Sequence, residues 1–122
     1  MLAPQRRRPS PLWALLAAAA LVGCSTTKDE TAGQNSEKLY AAAKDEAANG
    51  SYDKATKLYE RLEGRAAGTL LAQQAQLERA WSLYKANEKA EALTAIDRYI
   101  KLNPSSPALD YAYYLRGLIN FN

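Results

Sequence analysis

The chain has one cysteine, no histidine and thirteen carboxylates, so few residues could do covalent or acid-base chemistry. A thiol becomes a nucleophile or a zinc ligand as its thiolate, which needs a neighbouring base or a completing ligand set. Cys24 has no histidine to supply either, and as the single cysteine it has no disulfide partner within the chain. The remaining catalytic candidates are the carboxylate pairs Asp45-Glu46 and Glu60-Glu63. Both stand among lysines at helical spacing and read as solvated surface charge rather than as a general acid and base. No glycine-rich phosphate loop occurs. The residues therefore point away from an enzyme and imply neither a metal site nor a cofactor.

The surroundings of Cys24 give its thiol a different role. Arg6-Arg7-Arg8 precede an apolar run from Leu12 to Val22, and the small pair Val22-Gly23 comes directly before the cysteine. A basic start, an apolar core and small residues at a cut are the parts of a secretory signal peptide. The run is too short to span a bilayer, which takes roughly 20 apolar residues. Leu21-Val22-Gly23-Cys24 resembles the bacterial lipobox in all four positions. That resemblance implies cleavage before Cys24, an S-diacylglycerol on its sulfur and an N-acyl chain such as palmitate on the new terminus. A twin-arginine signal fits less well, because Pro9-Ser10-Pro11 departs from the pattern that follows its arginine pair.

Removal of residues 1–23 changes what the charge means. The whole chain has a net charge of +3, and Arg6, Arg7 and Arg8 carry that entire excess. From Cys24 onward thirteen basic residues balance thirteen acidic ones. A basic precursor suggests nucleic acid or acidic lipid as partner, but the mature chain has no such excess, which argues against nucleic acid. Its 99 residues are enough for one small core.

The elements follow from composition and spacing. Residues 24–35 contain almost no apolar side chain after the cysteine and read as a lipidated, flexible tether. Residues 36–122 are rich in Ala, Leu, Lys and Glu with apolar residues at helical spacing, which predicts an all-α domain. A first helix is expected over Glu37–Asn49, capped by Ser36 and stopped at Asn49-Gly50. Further helices are expected over Tyr52–Glu63, Thr69–Ala86 and Lys89–Lys101, and from Pro107 onward, with Ser106 capping the last. A shift of 37 residues superimposes Gly50 on Asn87, Ala55 on Ala92, Tyr59 on Ile96, Leu62 on Tyr99, and Ala43 on Ala80 and Gly117. This pattern looks like the tetratricopeptide repeat, read in Gly50-Ser51-Tyr52-Asp53-Lys54-Ala55, Tyr59 and Asn103-Pro104. It implies two helical hairpins and the first helix of a third, stacked as a short α-solenoid.

Tyr40, Tyr52, Tyr59, Trp81, Tyr84 and Tyr99 lie where packing alone would place them. The first helices of such repeats line a groove that takes peptides, so Tyr40, Gln73, Gln76 and Tyr113 are the candidate peptide-binding residues. Tyr111, Tyr114, Leu115, Leu118 and Ile119 give the last helix an apolar face suited to a partner helix. No polar capping helix follows in the sequence, which suggests a piece of a longer array.

Longer stretches are more specific. Ala95-Ile96-Asp97-Arg98-Tyr99-Ile100-Lys101-Leu102-Asn103-Pro104 and Asp110-Tyr111-Ala112-Tyr113-Tyr114-Leu115-Arg116-Gly117, with Leu39-Tyr40-Ala41 and Gln73-Gln74-Ala75-Gln76-Leu77, resemble the BamD family. The resemblance implies a non-enzymatic lipoprotein on the periplasmic side of the outer membrane, a subunit of the Bam complex that folds and inserts β-barrel proteins. Its implied partners are BamA, the other Bam subunits, unfolded barrel substrates and the membrane itself through the lipid. Arg65-Ala66-Ala67-Gly68-Thr69 departs from the family pattern, which carries Tyr-Pro-aromatic-Gly after the arginine. A pilotin-type repeat lipoprotein for pilus or secretin assembly is the alternative, sharing anchor and repeats but not the segments Ile96 to Pro104 and Asp110 to Gly117.

Overall fold

A computed structural model describes the backbone of residues 26–122 and side-chain surroundings from residue 33. Its five helices are α1 (Thr26–Ala48), α2 (Tyr52–Arg65), α3 (Leu70–Lys85), α4 (Lys89–Leu102) and α5 (Leu109–Phe121). No strand occurs among the described residues. The packing lies within one compact unit, Ala32–Asn122.

The 37-residue register is visible in the backbone. Gly50 has φ +78° and Asn87 φ +65°. At the end of α1, Ser51 N–H donates to Glu46 C=O at 2.8 Å and Gly50 N–H to Ala47 C=O at 3.1 Å. At the end of α3, Glu88 N–H donates to Leu83 C=O at 2.9 Å and Asn87 N–H to Tyr84 C=O at 3.1 Å. Both ends are Schellman turns closed by a left-handed residue, the conformation that glycine adopts freely and asparagine tolerates. The longer connections repeat as well: Thr69 N–H donates to Ala66 C=O and Ser106 N–H to Asn103 C=O, each at 3.1 Å.

Side chains obey the same register. Ala55 and Ala92, Tyr59 and Ile96, and Leu62 and Tyr99 are all essentially inaccessible. Ala43 and Ala80 are fully buried where α1 meets α2 and α3 meets α4. Their counterpart Gly117 is half-exposed, with no neighbour within 4 Å of where a Cβ would sit. The core has two clusters. Ala43, Ala55, Tyr59, Leu62, Ala72 and Ala75 form the first. The second contains Leu77, Ala80, Ile96, Tyr99, Leu115 and Ile119. Ion pairs also recur, with Arg79 3.4 Å from Glu60 and Arg116 3.4 Å from Asp97.

Three expectations change. The first helix starts at Thr26, so the stretch from Thr26 to Asn35 is helical rather than coil, and Ser36 is buried inside the helix instead of capping it. Lys28, Glu30, Ala32 and Gln34 favour helix, and extending a formed helix gains a bond per residue with no nucleation cost. The last helix starts at Leu109, not Pro107. Ser106 Oγ instead accepts from Ala108 N–H at 3.1 Å and meets the Tyr99 hydroxyl at 2.7 Å, closing a turn before the helix. Finally, the apolar face of α5 divides: Leu115 and Ile119 are buried in the second cluster, while Tyr111 and Tyr114 are 48% and 65% exposed. A smaller difference lies at the start of α3, where Thr69 is the cap and its Oγ1 accepts from Ala72 N–H at 3.2 Å.

Candidate functional site

A cleft of about 530 Å³ lies where α2, α3 and α4 meet. Its floor is α3, which presents Gln73, Gln76 and Arg79 at three-residue spacing and hence on one side of the helix. One wall is the end of α2 and its loop, with Glu63, Ala67 and Gly68; the other is α4, with Arg98 and Asn103. Gly68 has φ +83°, a left-handed turn that only glycine makes without cost, and it directs the chain from α2 into α3.

The polar groups of the cleft are partly bonded to each other. Asn103 Nδ2 donates to Gln76 Oε1 at 3.3 Å and to Tyr99 C=O at 3.0 Å, fixing the amide at the end of α4. Arg79 reaches back from α3 to two carboxylates on α2, donating to Glu60 Oε1 at 3.4 Å and lying 3.6 Å from Glu63 Oε1. Burial pushes the Glu63 carboxyl above its usual range, against the pull of the Arg79 and Arg98 charges. Arg98 makes no ion pair among the described residues. Amides that can pair with a main chain therefore share a cleft with a guanidinium that makes no ion pair within 4 Å, although its charge also acts on Glu63.

Of the four residues expected to bind peptide, the structure brings two together. Gln73 and Gln76 both line the cleft. Tyr40 instead belongs to the packing of α1 on α2, with its ring 6.0 Å from that of Tyr59 and the Lys44 ammonium 5.8 Å over its face. Burial first, and then the charge of Glu78, raise its phenol's pKa. Tyr113 is 48% exposed on α5, with the Arg116 guanidinium 5.1 Å over its ring, and it lines no part of the cleft. Cys24 lies outside the described residues.

The sequence reading did not select Arg79, Arg98 or Asn103. The register marks Arg79 and Arg116 as equivalent, but equivalence does not reveal contact across helices. The Glu60-Glu63 pair also needs correction: Glu60 is solvated, whereas the Glu63 side chain is only 14% exposed. Both carboxylates are held by Arg79, as salt-bridged structure rather than as an acid and base poised apart. Asp45 is exposed and Glu46 half-buried. Among the described residues no group of three metal-ligating side chains occurs, and no helix is long and apolar enough to cross a membrane.

Comparison with known proteins places this architecture in a family. The chain is 54% identical over 86 residues to the outer membrane protein assembly factor BamD of Neisseria meningitidis serogroup B, a match covering 70% of this chain and 32% of the relative. The factor of the same name from Neisseria gonorrhoeae is 47% identical over 109 residues, covering 84% of this chain and 41% of the relative. That of Vibrio cholerae serotype O1 is 32% identical over 104 residues, covering 85% and 43%. The chain thus spans about a third to two-fifths of the length of these relatives. Residues 32–122, which hold most of α1, all of α2 to α5 and the whole cleft, match the family model described as outer membrane lipoprotein, and the chain belongs to that family, YfiO.

Proposed function

We propose that this chain is the amino-terminal repeat portion of a non-enzymatic subunit of the outer-membrane β-barrel assembly machinery. Residues 1–23 act as a cleaved signal, and acylation of Cys24 anchors the protein on the periplasmic side of the outer membrane. The linker over residues 24–35 and the repeats that follow it stay close to that surface, which raises the local concentration of the repeats where barrels are assembled. BamA and the other Bam subunits are the protein partners. Unfolded barrel proteins are the substrates, and their targeting segments bind in the cleft.

The observation that carries this reading is the cleft itself. It combines the amides of Gln73, Gln76 and Asn103 with an Arg98 guanidinium free of ion pairs, in a family whose relatives carry the name assembly factor. An extended peptide needs main-chain partners, which amides supply. The test is affinity purification of the full-length parent from outer membranes, with binding of a labelled barrel targeting peptide measured by anisotropy. Co-purification of BamA, and peptide binding that weakens about tenfold in Gln76→Ala or Arg98→Ala, are the expected results. Recovery of a secretin without BamA, or peptide binding indifferent to both substitutions, would overturn the proposal.

A further inference from the structure

Helix α2 keeps its charges on separate sides. At about 100° per residue, Lys54, Lys57, Arg61 and Arg65 fall within an arc of about 80°, in a row roughly 16 Å long. All four are exposed, and none makes an ion pair among the described residues. The acids of the helix are placed elsewhere. Glu63 lies on the opposite side of α2 and Glu60 beyond the edge of the arc, and both are held by Arg79 of α3. Asp53 stands in the first turn, where the positive end of the helix dipole favours it, and it makes no ion pair with Lys57. From Cys24 onward basic and acidic residues balance. Four unpartnered cations on one helix are therefore a segregation of charge rather than a share of a general excess.

We propose that this stripe is a docking surface for a membrane that carries anionic phospholipid head groups. The charges are complementary. A phosphodiester offers oxygens to the paired donors of arginine and to the point charge of lysine, and an anionic leaflet attracts such side chains within a Debye length, about 8–10 Å. The make-up of the row favours lipid over protein. No apolar or aromatic side chain falls within the arc, whereas protein interfaces centre on buried aromatic and apolar anchors and are poor in lysine. The helix rests on head groups without inserting, because an inserting helix turns an apolar face to the bilayer, and the apolar side of α2, with Ala55, Tyr59 and Leu62, is buried in the core. The proposal takes from the anchor reading that the repeats are held beside a bilayer. Four cations alone give a reversible contact, so the stripe sets which face of the anchored domain meets the surface and does not replace the acyl chains.

The stripe is not a by-product of the repeat. Shifted by 37 residues, Lys54 becomes Glu91, Lys57 becomes Thr94 and Arg65 becomes Leu102, and Arg61 alone keeps a cation, at Arg98. The buried sides of α2 and α4 follow one register, with Ala55 and Ala92 both inaccessible. Their outer sides differ in charge, so the basic row belongs to the first hairpin specifically.

The experiment is lysine footprinting of the acylated full-length parent, reconstituted into vesicles of phosphatidylcholine alone or of phosphatidylcholine mixed with phosphatidylglycerol. An amine-acetylating reagent is applied, and mass spectrometry follows Lys54, Lys57 and, for comparison, Lys101, an exposed lysine of α4. The expected result is that Lys54 and Lys57 react about tenfold more slowly on the mixed vesicles than on the neutral ones, while Lys101 reacts equally on both. Salt at about 1 M, which shortens the screening length to about 3 Å, should abolish the protection. Arg61→Gln together with Arg65→Gln, both at exposed positions, should weaken it while leaving the two reporting lysines in place, and circular dichroism checks the fold. Equal rates on the two kinds of vesicle overturn the proposal. Slow reaction of Lys54 and Lys57 on both kinds does so too, and assigns the stripe to a protein segment instead. A parent that carries no acyl chain defeats the anchor reading alone. The stripe is then tested with the same vesicles in suspension: the mixed ones should carry the protein down on sedimentation and the neutral ones should not, and the absence of that difference overturns it.

Discussion

Gly50 and Asn87 occupy the same place in two successive hairpins, each with a positive φ and each closing a helix through the same pair of backbone hydrogen bonds. A left-handed residue is required at both, but only one is glycine. A side chain in that region costs about 1–2 kcal/mol, least for asparagine. Gly50→Ala should therefore lower stability by about 1–2 kcal/mol, and Gly50→Asn by clearly less. Asn87→Gly should raise it by up to about 1 kcal/mol. Thermal melts of the three variants check the order, and an alanine that melts with the parent protein would contradict the argument.

Tyr59 is fully buried, and its hydroxyl has no hydrogen-bond partner among the described atoms. Burial, with Glu78 and Tyr40 adding to it, pushes the phenol far above its ordinary range, so it stays neutral at any physiological pH. The ring contributes the packing and the oxygen contributes a desolvation cost. Tyr59→Phe is expected to be stabilising by about 1 kcal/mol, whereas Tyr59→Ala should cost about 3–5 kcal/mol through the cavity it leaves. Urea denaturation of both variants measures the two effects separately.

Glu63 provides a pH test. Its carboxyl is raised in the folded chain because burial outweighs the attraction of Arg79. The folded state then holds its proton more tightly than the unfolded state does, so this group's contribution is fully present below the unfolded pKa and is lost as pH rises through the folded one. Glu63→Gln, which keeps the shape and removes the titration, should gain stability relative to the parent between pH 4 and pH 7. A difference between the two melting temperatures that stays constant across that range would refute the burial argument.

Cys24→Ser tests the anchor. On the proposed reading, loss of the thiol leaves a diacylglycerol no point of attachment, and residues 24–122 have no basic excess to replace it. More than one acyl chain is needed for stable anchoring, at about 0.8 kcal/mol per buried methylene. The variant should move from the membrane pellet to the soluble fraction and show the mass of an unmodified polypeptide. Retention in the pellet after an alkaline wash would mean that another element holds the protein there.

Much of the fold was legible because it repeats. Apolar spacing and cap signals outlined the helices, and the shift that aligns Ala55 with Ala92 and Leu62 with Tyr99 then made the turns at Gly50 and Asn87 equivalent. The same shift superimposes Glu60 on Asp97 and Arg79 on Arg116, which the structure pairs at both junctions between successive repeats. A register states which positions are alike, not which ones touch, so the sequence alone did not disclose that pairing. The position of Tyr40 was open for a related reason: an aromatic on the first helix of a hairpin can face the groove or the second helix, and here its ring lies against Tyr59 on the second. A step of one residue, about 100° around the helix, decides between them. The early start of α1 was hidden by polarity, since Thr26 to Asn35 has nothing to bury and yet contains good helix formers.

The helix α3 contributes Ala72 and Ala75 to one core cluster and Leu77, Ala80 and Leu83 to the other. It belongs to the second hairpin and yet completes the core of the first. Withdrawing α3 to melt one cluster dismantles the other, so the two hairpins lose their structure together rather than in sequence. The polar cleft rests on this one helix, so a ligand gripping it holds the whole small array against unfolding, and a lesion in the middle of α3 is felt at both of its ends.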